Sequence, residues 1–380
     1  MRKINVLSLF DGICSGRVAL QRAGIPVNKY YASEIDKYAI MITQNNFPDT
    51  IQLGDVTKWE DWDIDWSSID LLIGGSPCQG FSFAGKQLNF NDPRSKLFFD
   101  YVNILHHIQK HNPNVKFLVE NVKMKQEFQD IFSNMLGVQP VEINSALLSA
   151  QNRKRLYWTN WEFGQPEDKH IMLKDIVHEY SKVDRDKSLC LDANYYKGGN
   201  LKQYYEKHRR QLAFEWLNEY IVPFDKTLQI LDKEVERGKV GYFGKDSQAN
   251  RVYYIHDKAV TLCGSAGGGA AKMGQYLFGC LTPDRVNKRQ NGQRFNEGDK
   301  FYTLTAQDKH GVLVEGYIRK LTPVECERLQ TLEDGFTANG IDQKTGKVVP
   351  ISNTQRYKAL GNGWTVDVIA HILKSLDFGE

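Results

Sequence analysis

The stretch Ile4-Asn5-Val6-Leu7-Ser8-Leu9-Phe10-Asp11-Gly12-Ile13-Cys14-Ser15-Gly16 decides the fold class. A short, mostly apolar run of strand length enters a turn with two glycines, and a helical pattern follows over 16–23. Glycines in such a turn let a ligand approach the backbone closely at a helix N-terminus. The unit recurs downstream. Apolar runs at 30–33, 71–74 and 117–119 end beside Gly, Ser, Asp or Glu, and helical patterns at 36–46 and 95–109 separate them. Strands alternating with helices of that length pair in parallel, so the first 160 residues predict an open, doubly wound, mostly parallel α/β sheet. In such a sheet the ligand crevice lies beyond the carboxyl ends of the strands.

The informative residues gather at those ends. Glu34 follows the second strand, where an acid can hold ribose hydroxyls, and Asp55 in Leu53-Gly54-Asp55-Val56 ends a third. Glycine, Glu and Asp at successive strand ends suit a nucleoside better than a pyrophosphate, because the turn lacks a full GxGxxG and no Walker-type lysine follows. Taken alone, they also fit an ordinary strand–helix turn with two surface acids. Gly74-Gly75-Ser76-Pro77-Cys78-Gln79-Gly80-Phe81-Ser82 places a cysteine after a strand and a Ser-Pro turn, where nucleophiles sit. A buried, inert thiol is the bland alternative for any single cysteine. The strand at 117–119 leads into Glu120-Asn121-Val122, and Gln151-Asn152-Arg153-Lys154-Arg155 puts two arginines two residues apart, on one face of an extended strand. A thiolate, a carboxylate and paired arginines can serve one reaction on an electron-poor ring.

Composition bounds the remaining choices. The chain has 380 residues, 41% hydrophobic and 25% charged, enough apolar material for a sizeable core and for two domains or one with an insertion. No uncharged apolar run approaches the roughly 18 residues of a membrane helix, and the N-terminus reaches Asp11 too early for a signal peptide. Cysteines 14, 78, 190, 263, 280 and 326 form no CxxC or Cys/His cluster, so no metal is expected, and their sparse use fits a reducing cytoplasm. From about 160 to 315 periodicity fades, with one helical stretch expected over 203–220 and a glycine-rich piece at 265–274. A degenerate repeat links Arg251 with Arg294 and Leu281-Thr282-Pro283 with Leu321-Thr322-Pro323. The segment 285–294 carries Arg285, Lys288, Arg289 and Arg294 with Asn and Gln between them and no acid, a pattern that fits a solvated loop or a phosphate-neutralising one.

In their order along the chain, these motifs resemble the cytosine-5 DNA methyltransferase family. Arg319-Lys320-Leu321-Thr322-Pro323 with Glu325, Arg328-Leu329-Gln330 and Gly361-Asn362 complete the likeness, which covers about 4–160 and 317–375. Bacterial members usually read Gly-Asn-Ser-Val where this chain has Gly361-Asn362-Gly363-Trp364-Thr365-Val366. That variant, with Leu7-Ser8-Leu9-Phe10-Asp11-Gly12-Ile13, is similar to the animal de novo enzymes, whereas Pro77-Cys78-Gln79-Gly80-Phe81-Ser82 looks bacterial. The chain is thus identified as a prokaryotic or phage member.

The resemblance implies an S-adenosylmethionine-dependent methyltransferase fold with a smaller, irregular target recognition domain inserted. It implies a catalytic domain over 1–180 and 355–380, and a recognition domain with hinge over 181–354. S-Adenosylmethionine, giving S-adenosylhomocysteine, would meet Phe10, Gly12, Gly16, Glu34, Asp55, Pro77, Leu97, Asn362 and Trp364. Cys78 would add to C6 of a flipped cytosine, Glu120 would contact N3, and Arg153 and Arg155 would position the base. Gln79, Ser82, Arg285, Lys288, Arg289 and Arg294 would contact DNA. Double-stranded DNA is the implied partner, a separately acting restriction endonuclease a further one, and the cytoplasm, beside the nucleoid, the implied location. Two alternatives use the same scaffold. One is an RNA cytosine-5 methyltransferase, whose tRNA-modifying relatives carry a Cys-Phe-Thr motif; the only Phe-Thr here, Phe336-Thr337, follows Gly335. The other is a non-catalytic regulatory protein that binds S-adenosylmethionine or DNA, against which stand Cys78, Glu120 and both arginines.

The basic segment yields a test. Alanine at a phosphate-holding member of Arg285, Lys288, Arg289 and Arg294 should weaken binding to all duplexes alike and lower the salt slope by about 1. Alanine at a base-reading member should relax sequence preference at one position, at a cost of about 1–3 kcal/mol. Affinities at two salt concentrations, with the methylated sequence context, separate the two. Four variants with wild-type affinity, slope and context would transfer the reading role to 265–274.

Overall fold

The first strand, β1 (Ile4–Leu9), lies in the interior of a seven-stranded sheet. The computed structural model describes residues 2–76, 93–178, 181–197, 204, 207–216, 228–235, 239–243, 251–253 and 316–378. Along this sheet the chain runs β1, α1 (Ser15–Ala23), β2 (Val27–Ser33), α2 (Lys37–Asn46), β3 (Ile51–Gln52), β4 (Leu71–Gly74), α3 (Pro93–His111) and β5 (Lys116–Val122). Then follow α4 (Gln126–Leu136), β6 (Val141–Asn144) and β7 (Lys154–Thr159). Spatial order is β3-β2-β1-β4-β5-β7-β6, parallel from β3 to β5 and antiparallel at β7. The chain leaves β1 towards β2 on one side and returns to β4 on the other. The carboxyl ends of β1 and β4 therefore flank the reversal point where open α/β sheets hold ligands.

Burial explains why these runs became strands. Leu7, Leu9, Leu72, Phe117 and Val119 are buried in a core that also takes Phe98, Tyr101 and Leu105 from α3 and Phe132 from α4. Phe98 stacks on Phe132, and Trp158 of β7 packs against Phe132 with its indole donating to Ser133 Oγ at 3.0 Å. The buried indole N–H is thus satisfied, as a buried polar group must be.

The chain divides into two compact units, residues 1–176, 187–196 and 323–380, and residues 177–186 and 197–322. The first holds the seven-stranded sheet together with α5 (Leu173–Ile176), α6 (Pro323–Leu329), β14 (Asn339–Ile341), β15 (Val348–Pro350), α7 (Asn353–Asn362) and α8 (Val366–Lys374). Residues 323–354 therefore pack with the sheet rather than with the insertion to which the sequence reading gave them. Gly340 of β14 lies so close to α2 that a Cβ would be 2.8 Å from Met41 Cβ, and α1 packs against α8.

In the second unit β8 (Ser181–Lys182), β9 (Leu212–Trp216) and β13 (Gly316–Lys320) form one antiparallel sheet, and β10 (Leu228–Val235), β11 (Lys239–Phe243) and β12 (Arg251–Tyr253) another. The expected helix over 203–220 is corrected here: Leu212–Trp216 is a strand, in register with β13 from Leu212 opposite Lys320 to Trp216 opposite Gly316. Pairing with a strand distant in sequence overrides the local helical periodicity. The glycine-rich piece at 265–274 and most of the apparent repeat lie outside the described residues. Among the described residues no helix is long and apolar enough to cross a membrane.

Gly361 tests the packing. Its added Cβ would lie 2.2 Å from the Asp192 carbonyl carbon and 2.3 Å from Ala193 N, backbone atoms that cannot rotate away. Gly361→Ala should cost about 3 kcal/mol or more, a loss of roughly 6–12 °C in thermal melting. Gly164→Ala, with nothing within 4 Å of the new methyl, should melt as wild type and serves as the control.

Candidate active site

After β1 the backbone turns sharply, with Phe10, Gly12 and Cys14 all at positive φ (56°, 63° and 63°). Only Gly12 adopts this without strain, so the two flanking residues are held there by their surroundings. Asp11 N donates to Ser33 O, and Gly12 N donates to Glu34 Oε2 at 2.8 Å. Glu34 Oε1 accepts from the backbone N–H groups of Ile35 and Asp36, so the carboxylate is fixed at the end of β2. Beside it Ile35 is 75% exposed, an apolar side chain left open to solvent. Gly16 opens α1 under close packing: a Cβ there would meet Ile73 Cδ1 at 2.5 Å and Trp364 Cζ3 at 3.3 Å.

Asp11 accepts a hydrogen bond from Tyr30 at 2.8 Å on Oδ1, but its Oδ2 is buried without a hydrogen-bond partner among the described residues, as is Ser15 Oγ. Burial pushes the Asp11 carboxyl up to about 6, against the lowering effect of hydrogen bonds from Ser8 and Tyr30. Asp55 caps a short 3-10 helix after β3, its Oδ1 accepting from Thr57 N and Thr57 Oγ1. Those hydrogen bonds hold its carboxyl below the ordinary aspartate range. Leu97 sits half-buried on α3 against the core. Asp100, one turn further on, has a buried Oδ2 without a hydrogen-bond partner among the described residues and a carboxyl raised by burial and by the nearby Asp55 charge. The sequence reading passed over Asp100, although its spacing from Leu97 marks one face of α3. Asn362 ends α7 and is exposed.

At the end of β5, Glu120 is 8% exposed and both its oxygens are engaged. Arg155 Nε lies 2.9 Å from Oε1, and Trp364 Nε1 donates to Oε2 at 3.1 Å. Register explains the ion pair. In the antiparallel β5–β7 pair Glu120 faces Tyr157 and Val122 faces Arg155, so Glu120 and Arg155 are diagonal neighbours on one face. Asn121 donates through Nδ2 to Ser76 O and Ser76 Oγ, anchoring the residue two before Cys78.

The two arginines part company. Arg153 is 5% exposed and gives its guanidinium to backbone carbonyls, Leu191 O and Gly363 O, each at 3.0 Å. Both arginines also reach Cys190 Sγ, at 3.5 and 3.9 Å. Burial raises the Cys190 thiol, but the two guanidinium groups outweigh it and leave the thiol below its usual range. Neither Trp364 as a partner of Glu120 nor Cys190 between the arginines was legible in the sequence, because both depend on contacts between distant segments. Pro77, Cys78, Gln79, Ser82, Arg285, Lys288, Arg289 and Arg294 lie outside the described residues. Among the described residues no group of three or more His, Cys, Asp or Glu is placed to hold a metal.

Asp11 gives the site a pH signature. Its folded pKa of about 6 exceeds the ordinary 3.8, so between those values the native state binds more protons than the unfolded one. Stability from this group is complete below about 4 and is lost as pH rises through 6. Asp11→Asn should flatten the decline in melting temperature between pH 4 and 6 and should melt no lower than wild type at pH 7.5. Melting curves of both proteins across that range check it, and an unchanged profile would remove the assigned role of Asp11.

Comparison with known proteins agrees with this geometry. The family model described as C-5 cytosine-specific DNA methylase matches residues 4–377. The orphan methyltransferase M.SPRI of Bacillus phage SPR is 29% identical, with 99% of this chain and 98% of that protein covered. The type II methyltransferase M.HhaI of Haemophilus parahaemolyticus is 26% identical over 97% of this chain and 93% of its own. Among solved structures, the Entamoeba histolytica methyltransferase EhMeth superposes with a TM-score of 0.52 at 15% identity, covering 99% of this chain and 98% of its own. The fold is shared with that solved methyltransferase, and this chain belongs to the C-5 cytosine-specific DNA methylase family.

Proposed function

We propose that the protein transfers a methyl group from S-adenosylmethionine to C5 of cytosine in double-stranded DNA, releasing S-adenosylhomocysteine. The observation that carries this reading is Glu120. It is a nearly buried carboxylate at a strand end, held from two sides by Arg155 and Trp364, on the strand whose next residue tethers Ser76 and so the approach to Cys78.

The turn after β1 fits the cofactor. Glu34 retains lone pairs for ribose hydroxyls after accepting three backbone N–H groups, and exposed Ile35 offers an apolar face to a nucleobase. Asp55 Oδ2 has no hydrogen bond among the described residues and can accept from an adenine amine. Asp11 Oδ2 and Ser15 Oγ, buried and without a hydrogen bond among the described residues, leave polar demand that a zwitterionic methionine tail would meet. Phe10, Gly12, Gly16, Pro77, Leu97, Asn362 and Trp364 complete the set of cofactor residues in this proposal. When bound, S-adenosylmethionine supplies the electrophilic methyl group.

The chain's own residues do the rest. The Cys78 thiolate adds to C6 of the cytosine, which makes C5 nucleophilic enough to take the methyl group. The C5 proton then leaves to base, and the thiolate is expelled from C6 as the aromatic ring reforms. Glu120 contacts N3 and gives it a proton as C6 is attacked, neutralising the negative charge that the thiolate brings to the ring. It takes the proton back as the methyl group is transferred, and Arg155 keeps the carboxyl group in place. Arg153, through Gly363 O, braces the segment that carries Trp364. The target base must leave the duplex, because neither C5 nor C6 can be reached in the stack. Gln79, Ser82 and the insertion with Arg285, Lys288, Arg289 and Arg294 supply the DNA contacts in this reading. The phage and bacterial relatives support a cytoplasmic enzyme acting beside the DNA, with or without a cognate endonuclease.

Cys78→Ser tests the covalent step. A serine hydroxyl has no appreciable anion near pH 7, so tritiated-methyl transfer to duplex DNA should fall to background while calorimetry still shows S-adenosylmethionine binding. Full turnover by Cys78→Ser would refute the mechanism. Bisulfite sequencing of DNA treated with the wild-type protein shows whether cytosine is modified and in which context, and tRNA offered in parallel decides between DNA and RNA.

A further inference from the structure

Trp364 occupies a place where two sites meet. One edge of its indole lies against the cofactor turn, since a Cβ on Gly16 would come within 3.3 Å of Cζ3. Its Nε1 lies on the other side, donating to Glu120 Oε2 at 3.1 Å. The backbone beneath that hydrogen bond belongs to Gly75. A Cβ there would stand 2.8 Å from Glu120 Oε2 and 3.1 Å from Trp364 Nε1, so the pair fits only over a glycine. The segment carrying Trp364 is itself fixed, because Gly363 O accepts from Arg153 and from Gln330, and the Thr365 hydroxyl donates to Gln330 Oε1.

A carboxylate held only by Arg155 could still turn about that one contact. A second donor on the other oxygen, delivered from a separate segment, removes this freedom and leaves one orientation. Indole N–H is donor only, so it cannot exchange roles with the carboxylate as a hydroxyl could. We propose that Trp364 is a positioning residue: its indole N–H sets the orientation of the Glu120 carboxylate towards the base, and its ring passes the shape of the cofactor turn to that carboxylate. The proposal rests on the reading of Glu120 as the group that contacts the cytosine ring.

The test uses the full chain, duplex DNA and S-adenosylmethionine. Trp364→Phe keeps an aromatic side chain at this position but removes the donor together with the outer part of the indole. Losing one hydrogen bond to a charged group should lower kcat about tenfold to a hundredfold, a larger change than any in the calorimetric Kd for S-adenosylmethionine. Trp364→His, which restores a ring N–H, should recover part of the rate. In a Glu120→Gln background Trp364→Phe should add no comparable further loss, since the charged acceptor is gone. Should Trp364→Phe fail to fold, Gly75→Ala wedges the same pair apart and should give the same split between kcat and cofactor affinity. Wild-type kcat in Trp364→Phe, a loss confined to cofactor affinity, or full additivity with Glu120→Gln would each overturn the proposal. Absence of methyl transfer by the wild-type protein would instead overturn the functional reading on which it rests.

Discussion

The whole site depends on one buried side-chain amide. Gln151 is 0% exposed, and its Nε2 donates to Leu329 O at 2.8 Å and Gln330 Oε1 at 2.9 Å, while its Oε1 accepts from Leu191 N. Gln330, equally buried, passes the bonding on to Leu360 O and Gly363 O. Arg153 closes the ring onto Leu191 O and Gly363 O. Three stretches far apart in sequence, at Leu191, at Leu329 and Gln330, and at Leu360 to Gly363, are thereby sewn to the residues just before β7. In a low-dielectric interior such a set is stable only when every member is satisfied, and removing one partner strands the others at about 1–3 kcal/mol each. Trp364 follows Gly363 directly, so the donor that faces Glu120 inherits its position from this bonding.

That bonding also explains why the chain's last segment belongs with its first. The sheet's first helix, α1, needs a partner for Val18, Ala19 and Leu20, and α8 supplies it with a buried Val366, Val368, Ile369 and Ile372. Polar contacts fix the register of the two. Arg22 pairs with Asp367 at 2.7 Å and also donates to Thr331 O, and Lys169 meets the other Asp367 oxygen at 3.0 Å. Exposed ion pairs contribute little by themselves, but here they orient a helix whose position burial already dictates. Residues 323–354 follow the same logic. Glu327, fully buried, accepts from Gly335 N, Thr337 N, Thr337 Oγ1 and Arg356, folding the intervening chain back onto the sheet unit.

How far this was legible depends on the range of the interaction. The strands at 4–9 and 71–74 emerge from local apolar runs, and Glu34 and Glu120 from their place at strand ends, because period and punctuation are local properties. The i, i+2 spacing of Arg153 and Arg155 also places both on one face, as their shared approach to Cys190 shows. What each arginine does there was not legible. It is decided by which acceptors the rest of the chain brings, carbonyls for one and a carboxylate for the other. Leu212–Trp216 failed for the same reason, since its partner strand β13 lies far along the chain. Residues 323–354 look like part of the insertion by sequence position alone, and only the buried bonds of Glu327 and the packing of Gly340 on α2 assign them.

The two arginines show how one spacing serves two ends. Guanidinium is planar, permanently charged and carries five donors, so it can satisfy several acceptors from a fixed position. Arg153, buried, spends those donors on Leu191 O and Gly363 O, closing the frame; its backbone N–H is taken by Asn144 Oδ1. Arg155, two residues on and less enclosed, presents Nε to Glu120 and Nη1 to its neighbour's carbonyl at Lys154. A lysine at either place would offer a point charge on a flexible stem, with too few fixed directions to hold two carbonyls or to keep a carboxylate in one plane. The positive field of the pair has its own consequence at Cys190, whose thiol is drawn towards the anion although burial opposes it. Arg155 holds Glu120 through its ion pair, while the frame around Gln151 fixes Arg153 and the segment that carries Trp364.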